Sequence, residues 1–524
     1  MKKHQKEFIR SRRDFLRQAS CASLGVTGLV NALAHLRLMT AALAQSTPAN
    51  DYKALVFLFL NGGNDSNNML VPIGDPASSM ARADYEVGRG VIGIPRAQLH
   101  PLTIPSSTRA FQQHYDGVTQ PLGLHPNMPQ LANLFNAGKL ATFANVGTLA
   151  YPVGSRSAYN SGSIPLPSQL FSHSDQQTQW QSSIPDRPFA SGWGGRAADL
   201  LHSSYNNATS SKVSMSISLA GVNSFQIGTT GNVIQYVIQP SGTVNVDGFG
   251  SNYASTIDPN ADDAKRFKAF EDIMRLTHAN LHEEEHNRII RRARNTEAVI
   301  GAALTSAAAS EASFNYNINN IFTAASANHK LGEQLKMIAK LIAGRSALGN
   351  QRQIYFCQVT GYDTHSSTLN SHGNLMTELA TGLQAFHDVL QAMGAWDQVL
   401  TCTASDFNRT FTPNGTNTAT AGCDHAWGGH AFMMGGAVNG GDIYGHFPLL
   451  KTGNVIGSLD AGNGSTNRGR WVPTTSVDQY CSVMARWLGA QSSELAAIFP
   501  NLPRFDDPFA ISTANANFIK PALL

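Results

Sequence analysis

Seven apolar residues in succession, Ala54-Leu55-Val56-Phe57-Leu58-Phe59-Leu60, constrain the fold more than any other stretch of this chain. No polar residue alternates with them, so an extended segment here must be covered on both faces. Such a strand belongs at the centre of a mostly parallel sheet with helices on either side. The run stops at Asn61-Gly62-Gly63-Asn64-Asp65-Ser66, which sets Asp65 at the strand's carboxyl end. Asn, Gly and Asp are turn residues in their own right. The carboxyl edge is also where open α/β sheets bind their ligands.

The pattern recurs along the chain. Residues 140–146 are a second buried run after a helix over 128–137, and with the first they suggest a βαβ-like unit. A third run, 353–359, leads into Thr360-Gly361-Tyr362-Asp363-Thr364-His365. Asp363 and His365, two residues apart on extended backbone, project to the same side. A helix starting at His372 carries the apolar stripe Leu375, Leu379, Leu383, Phe386 and Leu390. The run 399–404 ends at Ser405-Asp406-Phe407-Asn408-Arg409. Asp424, His425 and His430 then lie in a Gly-rich loop before a short strand. Carboxylates and imidazoles recurring past strand ends imply metal-assisted chemistry, with Zn, Mn or Ca as the divalent ion.

Between these strands, Leu170-Phe171-Ser172-His173-Ser174-Asp175 opens a short helix. Ser172 or Ser174 suits a helix cap. A Ser in that position is also a candidate nucleophile, since the amides there stabilise an oxyanion. Ser172 and the adjacent His173 are the catalytic candidates. Residues 212–250 alternate and read as a β-rich insertion, and 262–348 read as a helical one. His278, His282 and His286 share one helical face, but the dense charges around them mark a solvated surface.

The N-terminus reads as cargo labelling rather than fold. Ser11-Arg12-Arg13-Asp14-Phe15-Leu16-Arg17 is a twin-arginine signal, followed by an apolar stretch and a small-x-small site at Ala42-Leu43-Ala44. His35 and Arg37 break the apolar stretch, so residues 1–44 read as a cleaved signal peptide, not a membrane anchor. The expected partner during export is the twin-arginine translocase, and the expected compartment is the bacterial periplasm or beyond. The signal supplies much of the net charge of +3, and charged residues are only 14%. A near-neutral mature chain gives no reason to expect a nucleic acid or lipid surface as partner. Cys357 and Cys402 fall in predicted core strands and read as buried thiols, and no CxxC spacing marks a thiolate metal site.

Asn61-Gly62-Gly63-Asn64-Asp65, Gly361-Tyr362-Asp363-Thr364-His365, Ser405-Asp406-Phe407 and Asp424-His425 with Gly428-Gly429-His430 resemble, in order, the motifs of the DUF1501 family. That family consists of exported bacterial proteins and in turn resembles the alkaline phosphatase and sulfatase superfamily. The resemblance implies an alkaline phosphatase-like α/β sandwich over 50–510, with a central mixed sheet and metals at its carboxyl edge. By that resemblance Asp65 matches the first metal carboxylate, and Asp363 pairs with His365 or His372. Asp406, or alternatively Asp424, is the Asp of a later Asp-His dipeptide, and His425 or His430 is the last His. Phe407 stands where that dipeptide carries its His. The implied function is an exported hydrolase of phosphate or sulfate esters, acting on a small-molecule or glycan ester through a seryl or water nucleophile. The alternative is a protein that keeps the fold for binding alone, and a third reading is a structural metal-binding protein.

Overall fold

The computed structural model describes residues 51–206, 211–231, 233–242, 262–276, 281–509 and 518–520. The export signal with its cleavage site, His278 and the end of the β-rich segment (243–250) lie outside the described residues.

The strands in chain order are β1 (Lys53–Leu60), β2 (Leu70–Pro72), β3 (His100–Pro101), β4 (Leu122–Leu124), β5 (Leu140–Gly147), β6 (Ser216–Ser218), β7 (Tyr236–Val237), β8 (Arg352–Val359), β9 (Val399–Ser405), β10 (Gly429–Met434), β11 (Ile443–Gly445) and β12 (Thr475–Ser476). Nine of them form one sheet in the order β11-β5-β10-β9-β1-β8-β6-β7, with β12 also paired to β5, while β2, β4 and β3 form a small sheet apart. All pairings in the large sheet are parallel except those of β10. β10 runs the other way because the loop after β9 stays at the carboxyl edge and re-enters the sheet from there. The architecture is therefore mixed α/β with a central, mostly parallel sheet.

β1 behaves as its composition requires. Ala54, Val56, Leu58 and Leu60 face one core, shared with Leu335 and Ile338 of the helix Lys330–Ala343 and Met376, Leu379 and Phe386 of the helix Thr368–Ala392. Leu55, Phe57 and Phe59 face the opposite core, against Trp193 and Leu201 of the helix Trp193–Tyr205 and Tyr480 and Met484 of the helix Val477–Leu488. There Phe57 stacks on Phe225 at 4.5 Å and meets Trp193 edge-on at 5.5 Å. Each such ring contributes roughly 1.5–3 kcal/mol by leaving water.

Three features differ from the sequence reading. β1 and β5 run in the same direction but are not neighbours, because β9 and β10 lie between them; periodicity marks strands without ordering them. The segment read as a β-rich insertion supplies β6 and β7, which extend the main sheet beyond β8. Within the helical segment 262–348, Lys330–Ala343 is a layer helix of the sheet itself, and Ile300 and Ala303 of the helix Leu281–Phe314 join the same core. The cysteines at 357, 402, 423 and 481 are buried and free. Among the described residues no helix is long and apolar enough to cross a membrane.

Register positions the functional edge. Leu60 pairs with Val359 on one side and Ser405 on the other, so β1, β8 and β9 end level with one another. Their following loops therefore emerge side by side. Gly62 (φ +119°) and Gly63 (φ +85°) make the first of them possible. A Cβ on Gly62 would meet Asp363 N at 2.5 Å, and one on Gly63 would meet the Phe407 ring at 2.6 Å. Only glycine fits both the backbone angle and the space.

One core carboxyl gives a stability prediction. Asp478, 1% exposed in the first turn of the helix Val477–Leu488, is pushed up to about 7 by burial, against which Ser183, its own amide and Arg196 pull only in part. Ser183 lies close without aligning, and neither carboxyl oxygen has a hydrogen-bond partner. Because the folded group binds its proton more tightly than the unfolded one, its contribution is complete below about pH 4 and is lost as pH rises toward 7. At ~1.4 kcal/mol per pH unit the loss is of the order of 4 kcal/mol. Asp478→Asn should flatten the fall in denaturation midpoint between pH 5 and 7 and exceed the wild type in stability at pH 8. A variant whose pH dependence parallels the wild type would contradict this.

Candidate metal centre

The loop after β8, the start of the helix His173–Ser182 and the loop that joins β9 to β10 meet at the carboxyl edge and bring polar groups inward. His173 Nδ1 donates to Asp406 Oδ2 at 2.7 Å. Asp406 is fully buried; its Oδ1 accepts from Gly62 N at 3.1 Å, and its Oδ2 also accepts from Gln177 Nε2 at 2.9 Å. An ionised carboxylate only accepts hydrogen bonds, so the proton sits on Nδ1 of His173 and its Nε2 carries a lone pair. That atom is buried and makes no hydrogen bond.

His425 is oriented in the same way. Its Nδ1 lies 2.7 Å from the carbonyl of Phe171, which can only accept, so its Nε2 also presents a lone pair. Phe171 has a left-handed backbone (φ +73°), which turns its carbonyl toward the ring. Asp363 Oδ1 lies 3.4 Å from His173 Nε2 and 3.9 Å from His425 Nε2. His365 Nε2 stands at the rim, 2.9 Å from His425 Nε2 and 3.2 Å from Asp363 Oδ1. Its other nitrogen is 3.2 Å from Asp424 Oδ1.

Three imidazole nitrogens and one carboxylate oxygen thus converge, and outer partners hold protons away from two of the nitrogens. His173, Asp363 and His425 bring one ligand atom each within 4.8 Å of the others, as a metal ion requires. Ligand atoms on a tetrahedral ion with bonds of ~2.0–2.1 Å sit roughly 3.3 Å apart, which matches the separations of Asp363 Oδ1 from His173 Nε2 (3.4 Å) and from His365 Nε2 (3.2 Å).

Charge is balanced around the cluster. Arg409, fully buried, contacts Asp363 Oδ1 through Nη2. Burial raises the Asp363 carboxyl, but the hydrogen bond and charge of Arg409 oppose it and leave it below the usual range. Arg468 pairs with Asp424, and against burial this pairing likewise holds that carboxyl low. Burial lowers His425; the Phe171 carbonyl opposes this, and the charge of Arg409 lowers it further. The Phe407 ring lies 4.7 Å from the rings of both His173 and His425 and walls the cluster on that side.

The structure brings together His173, Asp363, His365, Asp424 and His425, with Asp406 behind them. It places the other sequence-derived candidates elsewhere. Asp65 is fully buried and paired with Arg89, so its charge is already met. His372 is buried, bonds Asn64 Oδ1 at 2.9 Å through Nε2 and is pushed down to about 3 by burial and the charge of Arg89. His430 accepts from Asn145 N at 3.2 Å, stacks on Phe447 and is lowered to about 3 by burial. Ser172 Oγ donates to Asp175 Oδ2 at 2.6 Å and makes no cap bond to its own helix. Asp406 orients His173, with both oxygens occupied by N–H donors. Sequence reasoning missed the roles of Arg409, Arg468 and the Phe171 carbonyl, which leave no spacing signal.

The sequence model of the family described as "Protein of unknown function (DUF1501)" matches residues 52–458. The chain belongs to the DUF1501 family. Every converging residue of the cluster lies inside the match, while Arg468 lies beyond it. No curated protein matches this DUF1501 chain. A crystal structure described as Ps i-CgsB in complex with k-i-k-neocarrahexaose is similar with 8% identity and a TM-score of 0.27, over 86% of this chain and 76% of that one. At that TM-score the likeness carries no argument.

Outer partners of metal-binding histidines tune affinity by about 10- to 100-fold. Asp406→Asn should therefore weaken zinc affinity by about that factor, measured by competition with a chromophoric chelator. Unchanged affinity would detach Asp406 from the centre.

Proposed function

We propose that this chain is an exported, metal-dependent hydrolase of phosphate or sulfate esters on an alkaline phosphatase-like fold, with water as the nucleophile. The observation that carries the reading is the convergence of His173 Nε2, His425 Nε2 and Asp363 Oδ1, with His365 Nε2 at the rim. Imidazoles with one carboxylate suit Zn or Mn; Ca, which takes six to eight oxygens, fits this donor set poorly. When bound, such an ion lowers the pKa of a water and offsets charge on an ester oxygen. The chain's own part is to hold His173 and His425 in one tautomer, to fix Asp363 against Arg409 and to keep the Phe407 side dry. Twin-arginine export, which carries folded cargo, supports a protein that leaves the cytoplasm with its ion in place.

Water is preferred to Ser172 because the Ser172 hydroxyl is turned to Asp175. A second reading, a fold kept for binding without hydrolysis, is favoured by one observation. Asp65 and Asp363, two carboxylates that the family resemblance assigns to metals, each contact a buried guanidinium.

Elemental mass spectrometry of the exported mature protein should find at least one divalent ion per chain. Asp363→Asn and His173→Gln should lose it, together with at least 100-fold of any 4-nitrophenyl phosphate or sulfate hydrolysis. Metal-free wild-type protein, even after incubation with Zn and Mn, would overturn the proposal. Ser172→Ala should keep activity within about threefold; a loss beyond 1000-fold would instead assign the nucleophile to Ser172.

A further inference from the structure

The arginines close to the cluster are engaged, with one exception. Arg89, Arg409 and Arg468 each hold a carboxylate. Arg470 holds none. Its guanidinium makes no hydrogen bond or ion pair among the described residues, and its Nε is buried without a partner. The nearby carboxylate does not serve it: Asp460 is fully buried and spends its oxygens on the amides of Arg470 itself (3.0 Å) and Gly453 (2.9 Å). Asp460 thus fixes the backbone of Arg470 and leaves the side-chain charge unmatched.

What Arg470 does touch is the Phe171 ring, over which its guanidinium carbon lies at 4.7 Å. Phe171 is also the residue whose carbonyl orients His425. The free cation therefore lies over the ring of the residue whose carbonyl orients His425. Tyr159 is near enough that Arg470's charge pulls its phenol down against burial, and its hydroxyl makes no hydrogen bond among the described residues. A stacked guanidinium presents its outer N–H groups as a fork, the geometry that matches carboxylate, phosphate and sulfate.

We propose that Arg470, stacked on Phe171 beside Tyr159, is a second anion subsite, so that the substrate carries another anionic group beyond the ester that is cleaved. This rests on the hydrolase reading above and narrows it from simple esters to multiply charged ones, such as a sugar bearing two sulfate or phosphate groups.

The test compares calorimetric binding of a doubly sulfated disaccharide with its monosulfated counterpart, and of glucose 1,6-bisphosphate with glucose 6-phosphate, to the mature protein. The sulfate and phosphate pairs separate the two anion sources. A charge-assisted contact predicts a preference of about tenfold or more for one doubly charged probe. Arg470→Gln should abolish that preference while hydrolysis of 4-nitrophenyl esters is unchanged, and Arg470→Lys should retain part of it. The same preference in Arg470→Gln, or no binding of either doubly charged probe by the wild type, overturns the subsite. If no aryl ester is hydrolysed but Arg470→Gln still loses the preference, the hydrolase reading falls and the subsite stands. If aryl esters are hydrolysed and the preference survives in Arg470→Gln, the subsite alone falls.

Discussion

The carboxyl edge of this sheet is organised by one buried cation. Arg409 donates from Nε to the carbonyl of Gly63 at 3.0 Å and from Nη2 to the carbonyl of Gly62 and the carboxylate of Asp363. Its Nη1 reaches the carbonyl of Cys423 at 3.3 Å. These acceptors belong to the loops after β1, after β8 and before β10, so one side chain ties three separate chain segments at one point. A fully buried charge without such partners costs several kcal/mol. The loops are consequently held not by apolar packing, which is scarce among Gly, Asn and Asp residues, but by what the guanidinium needs. The glycines at 62 and 63 are the other half of the arrangement, since their lack of side chains lets the carbonyls and Asp363 come within its reach.

Much of the fold was legible because its centre consists of uninterrupted apolar runs. β1, β5, β8 and β9 begin and end within a residue or so of where composition places them. Strand order was not legible, because equally apolar strands carry no label of their neighbours, and the short β6 and β7 look like an insertion until their pairing with β8 is known. The site was legible in kind and only partly in membership. Asp363, His365 and His425 follow strand ends or Gly-rich loops, where ligands are expected. Asp65 follows one too, yet it is claimed by Arg89 from a helix elsewhere in the sequence. His173 was read as a catalytic candidate with Ser172, and the structure places its imidazole beside Asp363 and His425 while the Ser172 hydroxyl turns to Asp175. Nothing in spacing reveals that a carboxylate 233 residues away will bond its Nδ1.

Phe407 illustrates how a departure from a motif can be functional. The aromatic ring sits against both His173 and His425, where a further imidazole would have added another ligand or another proton. An apolar wall instead excludes water on that side, and in a drier site the interactions of a bound ion with its ligands strengthen.

The charge balance of the edge bears on which substrates it would accept. Asp65, Asp363 and Asp424 are each matched by an arginine, leaving Asp406 as the carboxylate without one, and its oxygens are instead occupied by N–H groups of Gly62, His173 and Gln177. The cluster is therefore not an acidic pocket that would hold a cation merely to neutralise itself. With the histidines neutral, adding a divalent ion would leave the edge with a net positive charge. A purely structural metal site has no use for such an excess, whereas an anionic ester would be drawn to it and would neutralise it. The same balance would favour anionic over neutral ligands at this edge.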